Sequence, residues 1–526
     1  MTLAIVVAAT HHFVVSNASM GIRVACQEFS RGLTQFARTF TRNGRTIKSG
    51  EDKHYDAATE SRNRVRYHIN HLEAFKKLLY RHNLDAPGLI QWETAKPYLA
   101  DHMHLVIRSH FIPSELQEEA IAYILSEDSP TTKAVILQAG GGKTLLTMMA
   151  AAKYRQRMCI MLEPKYIDQW LKAFDENCII DKKRICVIGG DVKGGTTNAL
   201  RSLLEMAEDG GHIPYDVIIV STVTFRGYIE AYEACGNATK LKEEHGFVVP
   251  PYLFFQHLRI GFRVIDEVHE NFNLMFRLDC YTHVNNAVSL SATLQSDDAF
   301  INNMMRIAYP PHQRFDKGGF NKYVQAYSLH YSVRRPQTIR TLQKGMAAYS
   351  HVEFEKSLMK SKEMLNAYFQ MTRDSLIYTY DLDYRQGDRC LVYFATIEMC
   401  TLFTEYIEKH YKHLDVRRFV GEDPFENLVT ADIIVSTLKS AGTGKDIPQL
   451  TTVIMTPAVN SSPTNIQGFG RLRDLNRKDP SLGRKMYFVY FVGDDFAKHH
   501  EYHQRKKELL ATRALKYEPR YYGTMI

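Results

Sequence analysis

Gly140-Gly141-Gly142-Lys143-Thr144 sets three glycines, a cation and a hydroxyl in consecutive positions. Glycines leave the backbone free to turn its N–H groups toward phosphate oxygens, and a helix opening at the lysine would add the positive end of its dipole. In that arrangement Lys143 reaches the β- and γ-phosphates of a nucleotide and the Thr144 hydroxyl holds Mg2+. Leu137 stands where the usual phosphate loop has its first glycine. Asp266-Glu267-Val268-His269 carries the other half of a hydrolytic site. Asp266 is suited to the shell of a Mg2+ ion, and Glu267 to orienting and deprotonating an attacking water. Much further along, Gln467 with Gly470-Arg471 offers a cation that could close on the same phosphates from another domain. The chemistry this predicts is ATP hydrolysis with Mg2+, in a cleft between two lobes.

Such groups need strands to hold them. From about Lys133 short β-branched runs alternate with helical stretches: Ala134–Leu137, a helix from Lys143, then Cys159–Leu162, a helix around Ile167–Phe174, Ile185–Ile188, Val217–Val220 and Phe262–Ile265. Strands alternating with helices predict parallel βαβ units. The phosphate loop then follows a buried strand, and Asp266-Glu267 ends a strand expected beside it. A second series runs through Leu391–Phe394, Val416–Val420, Ile433–Ser436, Val453–Met455 and Met486–Phe491. Turn formers at Tyr309-Pro310-Pro311 and Gly318-Gly319 and one long helix at about Glu353–Tyr380 are expected to hold the connection. Residues 1–110 lack this rhythm and predict a small α+β domain. The expected fold class is α/β, with two RecA-like parallel-sheet lobes at 111–330 and 331–526 behind that N-terminal domain.

A chain of 526 residues exceeds one core, and one domain per about 150 residues gives three or four units. No apolar run approaches the ~18–20 residues that cross a bilayer, and Leu3 to Ala9 lacks the basic leader of a signal peptide. We therefore expect a chain without membrane partners, located in the cytoplasm. The eight cysteines form no C-x-x-C pair, which predicts reduced, packed thiols rather than zinc or disulfides. Net charge is +8. Residues 1–110 hold 15 Lys/Arg against 9 Asp/Glu, so most of the excess lies there.

The phosphate loop, Asp-Glu-x-His, Ser291-Ala292-Thr293, Thr437 with Gly444-x-Asp446, and Gln467-x-x-Gly470-Arg471 occur in one order. Together they resemble the motifs of the superfamily 2 helicases over about residues 111–500. That resemblance implies further roles. Gln117 would read adenine, and Gly444, Asp446 and Gln467 would join the nucleotide site. Pro164 and Gln169, Ser221 and Thr222, and Thr437 would touch the nucleic-acid backbone, contacts that fix register without reading sequence. His269, Ser291 and Thr293 would couple nucleotide state to the cleft. The family's Q-x-x-G-R-x-x-R supplies arginines that stabilise the transferred phosphoryl group. Here Asp474 takes the last arginine's slot and Arg473 precedes it, so Arg471 is expected to face phosphate, with Arg473 as the alternative. The layout, with a basic N-terminal domain and a His- and Lys/Arg-rich tail after Val492-Gly493-Asp494-Asp495, looks like the bacteriophage UvsW-type recombination helicases. This implies an ATP-driven DNA helicase, expected as a monomer, acting on forks and junctions.

Basic residues near aromatics bear on the partner. Arg38, Arg42, Arg45 and Lys48 recur near Phe36 and Phe40, and Arg62, Arg64 and Arg66 alternate beside Tyr67. On a strand, alternating arginines form one charged row that can follow phosphates, while aromatics stack on bases; a solvated charged face has the same pattern. Arg505-Lys506-Lys507 is expected on a solvated helix, and Trp92 in the small domain's core. An RNA helicase, a duplex translocase without strand separation and a non-catalytic nucleic-acid scaffold remain as alternatives.

Overall fold

The computed structural model describes residues 3–526 except 41–45, 57–63, 128–131, 139, 191–194, 209, 297, 318–321, 344–347, 442–446 and 478. Side chains of 37–40, 46–50 and 463 also lie outside that description. Two compact units result, Met1–Gly318 and Gly319–Ile526.

Each unit is built on a seven-stranded parallel sheet. In the first unit the order is Ile185–Ile188, Val217–Ser221, Met158–Leu162, Phe262–Ile265, Asn286–Ser291, Thr132–Ile136, Arg314–Phe315. The central strands are buried along their whole length, as the near-continuous Val/Ile/Leu/Met runs require when helices cover both faces. One expectation is corrected here. The Phe262–Ile265 strand does not adjoin the phosphate-loop strand, because Asn286–Ser291 inserts between them and pairs with both. Helical crossovers fix handedness and spacing but leave the order of strands to tertiary packing.

The second unit orders its strands Val416–Phe419, Ile433–Thr437, Arg389–Phe394, Leu450–Met455, Met486–Gly493, Val324–Tyr331, Lys516–Tyr521, again all parallel. The single long helix expected at 353–380 is two, His351–Leu358 and Lys362–Thr379. Ser361 starts the second by accepting a hydrogen bond from the Met364 N–H, a cap that a continuous helix would not need. Lys506, expected in solvent, is buried over the Tyr490 ring at 4.6 Å, and that burial pushes its ammonium down to about 7.

The N-terminal part is a mixed four-stranded sheet, Val65–His68, His12–Ser16, Ala4–Ala8, Ile90–Thr94, with helices Met20–Gly32 and Leu72–Arg81. Phe13, Tyr67 and Phe75 make its aromatic centre. Trp92 lies outside this core, 44% exposed, because Ile90–Thr94 is an edge strand. Arg66 is likewise no part of a solvent row: it is buried and paired with Asp56 at 2.5 Å.

Buried charge ties this part to the first sheet's surroundings. Asp279, on the helix Phe272–Asp279, receives Arg263 at 2.5 Å and His68 at 3.1 Å. Tyr281 donates to Asp56 at 3.0 Å and to Glu233 at 3.1 Å. Burial opposes the Asp279 charge, but Arg263 and His68 overcome it and hold the carboxyl well below the usual range. A depressed carboxylate stabilises the fold above its unfolded pKa, and that contribution is lost as pH falls through the folded one. Asp279→Ala should therefore destabilise the protein by about 3–5 kcal/mol near neutral pH, since it strands a buried guanidinium. Denaturant unfolding checks this, and the difference from the parent should shrink in acid. The eight cysteines are free thiols in this structure, and six of them are buried. No helix among the described residues is long and apolar enough to cross a membrane.

Candidate active site

The parallel sheet brings the first unit's candidate residues to the carboxyl ends of its strands, where ligands bind in open α/β sheets. Beyond Thr132–Ile136 the chain turns through Gly140 and Gly142, at φ 81° and 79°, and enters the helix Lys143–Tyr154. These left-handed conformations are why glycine stands there. Gly142 also leaves no room for a Cβ, which would collide with the Gln117 amide. Gln117 caps its own helix through Ser114, whose N–H it accepts at 2.9 Å, and donates to the Gly141 carbonyl at 3.2 Å.

Lys143 extends from the helix start to the next motif. Its Nζ donates to the Leu137 carbonyl at 3.2 Å and lies 3.4 Å from Glu267 Oε1. Its length bridges the strand that intervenes between the two motifs. Thr144 is half-buried at the next position. Glu267 adopts φ 45°, a left-handed conformation rare outside glycine and asparagine, and this turn aims its carboxylate back at the lysine. Burial opposes its charge, but Lys143 and then His269 prevail and lower its pKa. Asp266 differs. Burial, reinforced by the neighbouring Glu267 charge, pushes it up to about 6.

His269 Nδ1 sits 2.9 Å from Ser291 Oγ and 3.4 Å from Glu267 Oε2. Ser291 Oγ donates to the Thr293 carbonyl and accepts the Thr293 N–H at 3.1 Å, so the histidine must be the donor on Nδ1. Burial keeps the ring neutral by lowering its pKa, and Nε2 is then a buried acceptor without a hydrogen-bond partner. Gln117, the phosphate loop, Glu267, His269, Ser291 and Thr293 thus form one connected set.

Residues expected at nucleic acid are placed differently. Ser221 and Thr222 are buried. Ser221 caps the helix Thr222–Cys235, accepting the Thr224 N–H at 3.2 Å, and the Thr222 hydroxyl donates to Glu163. Pro164 opens a 3-10 turn, and Gln169 is exposed on the helix Ile167–Asn177. Arg42 and Arg45 lie outside the described residues, and Arg38 is placed only by its strand Thr34–Phe40.

In the second unit, Gln467 lies on the helix Ser462–Phe469, which Gly470 ends. Arg471 is 8% exposed beside Tyr393, whose hydroxyl donates to the Ala441 carbonyl at 2.9 Å. Gly444 and Asp446 follow Ala441 and lie outside the described residues. Arg473 is half-buried and donates to the Gly470 carbonyl at 3.1 Å. Thr437 ends the strand Ile433–Thr437 and accepts the Ser440 N–H at 3.2 Å.

No protein-family model matches the chain. No curated protein matches it either. Similar solved structures include S. cerevisiae Dbp5 bound to RNA and ADP BeF3, at 14% identity over 77% of this chain and 90% of that one, TM-score 0.47. T4 UvsW is 12% identical over 99% of both chains, TM-score 0.36. The Pyrococcus furiosus Hef helicase domain is 14% identical over 76% of this chain and 100% of that one, TM-score 0.43.

Trp170 is the contributor whose role the sequence did not reveal. It is fully buried and its indole N–H donates to Asp266 Oδ2 at 2.7 Å, while the Glu267 N–H donates to Oδ1 at 3.0 Å. Both carboxylate oxygens are thereby oriented. Glu163 gathers the Thr222 hydroxyl and the Asn271 amide. Only the fold reveals the acceptor of the Trp170 indole.

Proposed function

We propose that the chain is an ATP-dependent nucleic-acid helicase or translocase, remodelling forked or branched DNA in replication, recombination or repair, in a host cytoplasm. The observation that carries the ATPase part is the contact series Lys143, Glu267, His269, Ser291. It joins a phosphate loop to a carboxylate, that carboxylate to a neutral histidine, and the histidine to Ser291 at the end of the neighbouring strand. Asp266 and Thr144 fit Mg2+: a hard cation takes carboxylate and hydroxyl oxygens, and the buried Asp266, with Glu267 beside it, carries charge that burial disfavours. When bound, the ion would neutralise charge on the β- and γ-phosphates. The chain's own residues would do the rest. Lys143 holds those phosphates, Glu267 orients the water, and Gln117 supports the loop beside the adenine. His269, Ser291 and Thr293 report the state of Glu267. Gln467, Gly444 and Asp446 complete the nucleotide site in the second unit, and Arg471, with Arg473 as the alternative, stabilises the transferred phosphoryl charge. Backbone phosphates would meet Pro164, Gln169, Thr437, the turns at Ser221 and Thr222, and Arg38, Arg42 and Arg45. The protein works as a monomer on DNA in this reading. RNA is the second partner class, because backbone contacts separate the two only through the 2′-OH and groove shape.

Steady-state ATP hydrolysis, alone and with single-stranded DNA, a fork, a four-way junction or matched RNA, tests this. Strongest stimulation by branched DNA supports it. Stimulation by RNA alone moves the protein to RNA remodelling, and absence of hydrolysis with every substrate overturns the enzyme reading. Trp170→Phe should lower magnesium-dependent hydrolysis by about 10–100-fold, the usual cost of removing a residue that orients a metal ligand. Excess Mg2+ should restore part of it; an unchanged magnesium dependence would mean that Trp170 is packing alone.

A further inference from the structure

A second cationic site lies far from the phosphate loop in sequence, where the N-terminal sheet meets the first unit's helices. It is a cavity of about 390 Å3 whose lining includes Arg64, Arg66, His12, His283, Tyr252 and Gln256 and, among the described residues, no Asp or Glu. Both arginines crowd one ring, their guanidinium carbons 5.5 Å and 4.4 Å from the Tyr252 centroid. Asp56 neutralises Arg66. Among the described residues no carboxylate pairs with Arg64, which is only half-buried. Arg66 Nε, by contrast, is buried with no acceptor.

His12 adds no charge. His12 Nδ1 donates to the Thr282 carbonyl at 2.9 Å, and burial with Arg66 nearby pushes its pKa down to about 3. His283 Nε2 donates to the Lys96 carbonyl at 3.0 Å, which turns its Nδ1 into the acceptor of the Thr10 N–H at 3.3 Å. Among the described residues the cavity therefore presents one guanidinium without a carboxylate partner, the unused Arg66 Nε and an aromatic wall. A guanidinium fork matches phosphate oxygens in geometry and charge, and the volume suits a nucleotide-sized ligand.

We propose that this cavity binds a phosphate-bearing ligand, with Arg64 as its ion-pairing group. The phosphate could belong to a nucleic-acid strand or to a free nucleotide. The proposal goes beyond the ATPase reading and does not depend on it.

Binding of AMP and of a 5′-phosphorylated single-stranded oligonucleotide to the full chain, by calorimetry and anisotropy, tests it in a Lys143→Ala background that disables the phosphate loop. Arg64→Gln should weaken binding by about tenfold or more, as loss of a charge-assisted hydrogen bond predicts, and Arg64→Lys should restore part of it. Loss for the oligonucleotide alone identifies a strand phosphate; loss for AMP identifies a free nucleotide. Equal binding of both probes by Arg64→Gln and its parent overturns the site. As a check independent of the variant's folding, each probe should protect amides of residues 12–16 and 252–256 from hydrogen exchange in the unmutated chain. Absence of protection with both probes also overturns it. Failure of ATP hydrolysis in the unmutated chain would leave these outcomes unchanged.

Discussion

Lys143→Ala is expected to cut ATP hydrolysis by at least about a hundredfold, the scale for losing one preorganised group at developing charge. Lys143 Nζ lies 3.4 Å from Glu267 Oε1 while tethered to the Leu137 carbonyl. Its removal takes away the grip on the phosphates and also the charge that keeps Glu267 ionised against burial. Nucleic-acid binding should persist, because the Lys143 ammonium engages Leu137 and Glu267, whereas the Ser221 and Thr222 hydroxyls engage Thr224 and Glu163. Hydrolysis and DNA affinity measured on one preparation check the pair of outcomes. Wild-type turnover in the variant would sink the ATPase assignment.

Glu267→Gln should separate binding from chemistry. The amide keeps the shape of the side chain but cannot take a proton, so hydrolysis should fall by about 10²–10⁴-fold, the range for general acid–base catalysis. ATP affinity should hold or rise, since Lys143 is released from its ion pair to meet phosphate alone. Single-turnover hydrolysis beside equilibrium nucleotide binding gives both numbers. If turnover survives, water activation belongs to another group, and His269, with its unpartnered Nε2, is the first to examine.

What could be read from the chain was local. The phosphate loop announced itself because consecutive residues make it, and the two strand series showed because buried parallel strands are short continuous apolar runs. Relations between distant residues were not legible. Asn286–Ser291, its apolar run broken by Ser289, is not among the strands expected from the sequence, and nothing in it tells that it separates the two nucleotide motifs. Arg66 keeps the alternating pattern of an exposed row, yet Asp56 draws it inside. Trp170 and Asp266 meet across 96 residues of sequence. The motif at Ser221 and Thr222 does not reveal that their hydroxyls also serve a helix cap and Glu163.

The left-handed turn at Glu267 sets folding and function against each other at a single position. A side chain with a Cβ in that conformation costs roughly 1–2 kcal/mol, and glycine would relieve it. Glu267→Gly should thus yield a hardier but inert protein, so a screen for thermal tolerance alone would favour the loss of this residue. Only selection for turnover can maintain glutamate on a backbone that glycine fits better.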